Sequence, residues 1–112
     1  MKKLLAAAVM SMGLVSLAQA AVMPKGDAAA GEAKAAACAA CHGVGGVSMV
    51  PVNPNLAGQG ARYIYKQLQD FKSGRRGNPI MMGMAMPLVD QDMADLAAYF
   101  SSQKAVVNKA KP

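Results

Sequence analysis

Between Ala28 and Ala39 alanine fills most positions, with glutamate and lysine among them. Alanine loses no side-chain freedom on ordering, so this composition favours helix. Asp27 stands just ahead as an N-cap, and the pattern predicts a helix over residues 28–39. From Ala61 to Lys72 apolar residues recur at helical spacing. Ile64, Leu68 and Phe71 share one face, while Lys66, Gln69, Asp70 and Lys72 lie off it. A third run begins at Val89 or Asp90. Met93, Leu96, Ala97 and Phe100 form its stripe, Tyr99 lies beside it, and Asp90, Asp92 and Asp95 sit near its positive end.

The intervals between these runs read as loops. Gly43, Gly45, Gly46, Pro51, Pro54, Gly58 and Gly60 break any regular element across residues 43–60. A loop of that length in a small domain is usually functional or wrapped around something. Ser73 and Gly74 close the middle helix. The basic pair Arg75 and Arg76 then opens a second loop that runs to Pro87 and carries Met81, Met82, Met84 and Met86. No stretch alternates as a half-buried strand does, so the expected fold is all-α. Gly31 is out of place inside a helix, where it costs about 1 kcal/mol relative to alanine. Such a glycine usually admits another backbone or a ring at close range.

The two ends have a different character. Met1-Lys2-Lys3, an apolar run from Leu4 to Leu17 and Ala18-Gln19-Ala20 have the order of a secretory signal cleaved after Ala20. The apolar run is short for a membrane span, so residues 21–112 are expected to be one exported domain that does not cross a membrane. Residues 21–26 read as a loose arm, and the tail from Val106 to Pro112 is expected to fray. The net charge of +6 falls to +4 once Lys2 and Lys3 leave with the signal. That bias suits a partner with an acidic docking surface. It is too mild for nucleic acid, and no aromatic-rich basic stripe accompanies it.

The chemistry concentrates in Cys38-Ala39-Ala40-Cys41-His42, which holds both cysteines and the only histidine of the chain. A structural zinc site needs four such ligands, one more than the chain has. A thioredoxin-like pair would follow a strand, and here an alanine-rich helix precedes it. A plain disulfide leaves the histidine without a purpose. C-x-x-C-H is the attachment signature of c-type haem: two thiols form thioethers with the vinyl groups of one porphyrin, and the imidazole binds the iron. A domain this small also gains from a covalently held apolar disc to pack around.

With that motif in place, the order of elements resembles the class I cytochromes c. The nearest likeness is to short bacterial periplasmic monohaem members that are similar to one half of the dihaem cytochromes c. Asp27 to Lys34, Asn55 to Gly60, Lys66 to Phe71 and Asp90 to Phe100 carry the resemblance. It implies three main helices and loops wrapped around one covalent haem c. Cys38 and Cys41 would form the thioethers, and His42 would be one axial iron ligand. The resemblance makes Met81 the other, seven residues before Leu88, with Met82 and Met84 as alternatives. It implies that the Pro54 carbonyl accepts the Nδ1–H of His42, and that Gly31 receives Tyr99 where the first and last helices cross. Gln59, Arg62 and Tyr63 would reach the haem propionates. The family often places Ser or Thr where this chain has Val89, so Asp90 is expected to cap the last helix instead.

A His/Met-ligated iron has no open position for substrate, so the implied function is periplasmic one-electron transfer and not enzymatic catalysis. The soft thioether and a buried haem both favour ferrous iron. The partner would be a redox protein such as a terminal oxidase or a dehydrogenase, drawn by lysines and arginines. A haem subunit fixed in a respiratory or dehydrogenase complex is one alternative. A Cu(I) protein using Met81, Met82, Met84 and Met86 is another.

Overall fold

A computed structural model describes residues 22–107. The proposed signal, residues 1–20, lies outside them, as do residues 108–112 of the tail. Among the described residues the regular structure is entirely helical: α1 (Ala28–Lys34), α2 (Ala36–His42), α3 (Ala61–Ser73), α4 (Pro79–Ala85) and α5 (Asp90–Ser102), with one 3-10 turn at Val44–Gly46. None of these helices is long and apolar enough to cross a membrane.

The first helix behaves as the alanine pattern requires but runs further and bends. Asp27 caps α1, its carboxylate accepting from the Ala29 and Ala30 N–H groups at 2.9 and 3.2 Å. Backbone hydrogen bonding passes through Ala35, whose carbonyl accepts from both Cys38 and Ala39, and this tightened turn separates α1 from α2. The helix therefore ends at His42, not Ala39. Gly43 stops it with φ of 79°, a conformation that glycine adopts without strain.

The second loop contains a helix that the hydrophobic pattern did not reveal. The Asn78 side chain accepts from the Ile80 and Met81 N–H groups at 3.1 and 3.0 Å, and Pro79 follows at the first helical position. The methionines thus ride on α4. Helix α5 begins as expected, but Asp90 does not cap it. Val89 holds the N-cap position, and the Asp92 carboxylate reaches back to accept from the Val89 N–H at 3.0 Å.

Helix α5 is the centre of packing. Met93, Ala94, Leu96, Ala97 and Phe100 are buried on it against Ile64 and Tyr65 of α3 and against Ala35. Asp70, assigned to the polar side of α3, is in fact buried, with its carboxylate 2.5 Å from the Lys66 ammonium. Helices α1 and α5 cross at Gly31. A Cβ there would lie 2.0 Å from the Asp95 carbonyl oxygen and 2.8 Å from the Tyr99 Cβ, so backbone meets backbone with no side chain between.

Beside this crossing the buried Asp95 carboxylate accepts three hydrogen bonds: from the Asp27 N–H at 2.9 Å, Lys34 Nζ at 2.6 Å and Gln91 Nε2 at 2.8 Å. Lys34 also pairs with Asp92 at 2.8 Å. The Lys34 ammonium, the Asp27 N–H and the Gln91 amide together hold the Asp95 carboxyl down at about 2. A carboxyl with a lowered folded-state pKa stabilises fully above its ordinary value of 3.8, and that contribution is lost as pH falls towards about 2.

Acid unfolding followed by circular dichroism should therefore show a stability loss between about pH 4 and pH 2 that Asp95→Asn reduces, the remainder including Asp92, whose carboxyl is also lowered by Lys34 and the Val89 N–H. At neutral pH, Asp95→Ala should cost on the order of 2–4 kcal/mol in denaturant unfolding, because the Asp27 N–H and the Lys34 ammonium lose their acceptor. Gly31→Val should destabilise by at least about 3 kcal/mol in the same assay, since α1 can accommodate the side chain only by lifting off α5.

Candidate haem-binding site

Helix α2 brings the three chemical groups together. Cys38, Cys41 and His42 stand at i, i+3 and i+4, which is one face of a helix. Cys41 is exposed and Cys38 half-buried, and both are free thiols. Burial pushes the Cys38 thiol up, with the neighbouring Cys41 adding to it. That is the reverse of the lowered pKa expected for a thioredoxin-like pair.

The glycine-rich loop clasps this face with two consecutive residues. The Pro54 carbonyl lies 2.8 Å from His42 Nδ1, and Asn53 Nδ2 donates to the Cys41 carbonyl at 2.9 Å. A carbonyl only accepts, so Nδ1 carries the proton and Nε2 keeps a lone pair. The loop itself is pinned by Ser48 N–H donating to Asn55 Oδ1 at 2.7 Å, and by the Gly46 carbonyl accepting from Leu56 and Ala57.

His42 and both cysteines line a cavity of about 480 Å³ that reaches from α2 to α4. Leu56, Ile64, Leu68, Phe71, Leu96 and Phe100 make most of its wall apolar. From α4 it takes Met81 and Met84, while Met82 and Met86 are not part of its lining. Met82 turns instead towards Gly74, its Cε 3.9 Å from where a Cβ would stand. Met86 is exposed, so the four sulfurs of the copper alternative are divided between the cavity and the outside.

Polar side chains also reach the cavity. Gln59, Arg62 and Tyr63 do not line it; Asn53, Gln67, Arg76 and Asn78 do. Arg76 is held in place by Nη1 donating to Gln67 Oε1 at 2.7 Å and by the Phe71 ring at 4.6 Å from its guanidinium carbon. In the sequence Arg76 read only as half of a basic pair. Its position three residues past the end of α3, just beyond the Gly74 cap, was the available signal. Among the described residues no three His, Cys, Asp or Glu side chains form a metal cage.

Residues 28–104 match the profile of the family described as Cytochrome c. The chain belongs to the cytochrome c family. Over 112 residues it is 54% identical to cytochrome c4 of Pseudomonas aeruginosa, covering the whole of this chain and 54% of that relative. A crystal structure of reduced recombinant cytochrome c4 from Pseudomonas stutzeri superposes with a TM-score of 0.73 at 54% identity, over 78% of this chain and 50% of that one. Cytochrome c-554(548) of Halomonas halodenitrificans is 49% identical over 82 residues, which is 70% of this chain and 99% of that protein. The chain thus spans about half the length of the cytochrome c4 relatives it matches.

Cytochromes c are electron-transfer proteins, not enzymes, and carry covalently bound haem c with its iron. The residues of this cytochrome c fit that group. An apolar cavity holds two thiols at the spacing of the attachment signature, an imidazole with a free lone pair, and soft thioether sulfurs.

Asn53→Ala should leave the Cys41 carbonyl without its donor and lower the unfolding free energy of the haem-loaded protein by about 1 kcal/mol. Denaturant unfolding followed at the haem absorbance measures this, and an unchanged midpoint would remove Asn53 from the clasp.

Proposed function

We propose that this cytochrome c is a periplasmic one-electron carrier in which Cys38 and Cys41 are the haem thioethers and His42 and Met81 the axial ligands. The observation that carries the reading is the His42–Pro54 hydrogen bond of 2.8 Å at a cavity that Met81 also lines. The bound haem supplies a one-electron iron couple. Everything else falls to the chain. Pro54 fixes the tautomer of His42, so the Nε2 lone pair is the one left to hold an iron. Met81 contributes a soft sulfur that favours the ferrous state. Leu56, Leu68, Phe71, Leu96 and Phe100 keep water away, which disfavours the extra charge of ferric iron.

Helix α4 supports Met81 as a ligand because Asn78 fixes its first turn, where Met81 lies. Lys72 strengthens that arm, its ammonium donating to the Leu88 carbonyl beyond the other end of α4. The leader of residues 1–20 supports export to the periplasm with cleavage after Ala20. A mature net charge of +4 supports encounter with redox proteins of acidic surface, such as a dehydrogenase as donor and a terminal oxidase as acceptor.

Met81→Ala should abolish the far-red sulfur-to-iron charge-transfer band of the oxidised protein and lower its reduction potential, while Met84→Ala should preserve the band. Absorption spectroscopy and potentiometry check both. Persistence of the band in Met81→Ala, together with its loss in Met84→Ala, would transfer the ligand to Met84.

A further inference from the structure

Of the segments that reach the cavity, residues 79–89 are the least secured. They include no charged side chain. Helix α4 buries only Ala85, while Ile80 is 71% exposed and Met86 57%. Gly83 stands inside α4 with nothing within 4 Å of where a Cβ would be, so no close approach accounts for a residue that weakens a seven-residue helix. The hydrogen bonds of this arm are mostly local. Asn78 caps α4, the Leu88 N–H donates to the Ala85 carbonyl, and the Asp92 carboxylate accepts from Val89. Among the described residues a single hydrogen bond crosses to the arm from another part of the fold, from Lys72 Nζ to the Leu88 carbonyl. Lys72 lies in the last turn of α3, where a cation can serve the free carbonyls of its own helix; here it reaches across to Leu88, where the arm rejoins the core. Elements with few buried contacts open at the lowest cost in free energy.

We propose that Lys72 is a positioning residue for the axial sulfur: it latches residues 79–89 to α3 and so governs how often Met81 leaves the iron. The proposal rests on Met81 as the ligand and adds what regulates it. An outward swing of α4 withdraws Met81 from the cavity and pulls on Leu88. With the latch made, that swing breaks a charge-assisted hydrogen bond as well as lifting Ala85 from its packing; without it, only apolar contact resists. The Lys66–Asp70 pair makes the useful contrast. Both partners lie on α3, so the same swing leaves their contact intact, whereas global unfolding breaks it. Lys72 therefore acts on coordination as well as stability, and Lys66 on stability alone.

Imidazole is the probe, because it can take the sixth position of the oxidised protein only when Met81 has left it. Haem-loaded wild type, Lys72→Leu, Lys72→Arg and Lys66→Leu are titrated with imidazole and followed at the far-red band, with denaturant unfolding in parallel. Lys72→Leu should bind imidazole about tenfold more tightly than wild type, as the loss of one charge-assisted hydrogen bond implies. Lys72→Arg keeps a cationic donor and should recover most of that change. Lys66→Leu should unfold at lower denaturant yet bind imidazole within about twofold of wild type. A Lys72→Leu affinity within about twofold of wild type would overturn the proposal. So would equal tightening in Lys66→Leu, which would reduce Lys72 to a contribution to general stability. Met81→Ala separates the latch from the ligand. A far-red band that survives in Met81→Ala would overturn the ligand assignment and the latch with it. A band lost there, with Lys72→Leu unaffected, would overturn the latch alone.

Discussion

The crossing of α1 over α5 at Gly31 sets the position of everything else. Because no Cβ stands there, the α1 backbone rests directly on the Asp95 carbonyl. The Asp95 side chain then ties the crossing with hydrogen bonds from Asp27, Lys34 and Gln91. The consequence is positional. Helix α2 continues from α1 and carries Cys38, Cys41 and His42, while α5 contributes Leu96 and Phe100 to the same cavity. Moving α1 outward would carry the motif away from the wall it faces. A contact remote from the chemistry therefore defines the distance across the haem pocket.

The packing is divided into a filled half and an open half. Met93, Leu96, Ala97 and Phe100 close with Ile64 and Tyr65 into a small core. On the other side Leu68, Phe71 and the face of α2 surround a cavity of about 480 Å³ that no side chain of the described residues fills. Interiors are normally packed without voids of that size, because each lining group forfeits contacts across the gap. A large apolar disc attached at Cys38 and Cys41, as proposed, would restore those contacts and make the cofactor part of the core.

The sequence reading was strongest where chemistry or periodicity is local. Asp27 as a cap, the stripe of α5 and the C-x-x-C-H motif all depend on residues within one or two turns of each other, and the family membership of the chain agrees with the resemblance they carry. Helix α4 was missed although Asn78-Pro79 is a cap followed by a favoured first residue. Gly83 and the run of methionines gave no amphipathic stripe to accompany that signal. The burial of Asp70 and Asp95 could not be read, because carboxylates are usually exposed; Asp95 also takes partners 61 and 68 residues away in the chain, although Lys66, which pairs with Asp70, is only four residues off. Arg76 escaped for a similar reason: its place at the cavity depends on Gln67 and Phe71 orienting it.

On the proposed reading, the cavity holds one haem bonded to Cys38 and Cys41. The direct test is the intact mass, under denaturing conditions, of protein exported in a host that matures c-type haem. One haem retained per chain in wild type, and none in a Cys38→Ser/Cys41→Ser double variant, is the predicted result. Exported wild type with the mass of the bare polypeptide would contradict the account at its foundation.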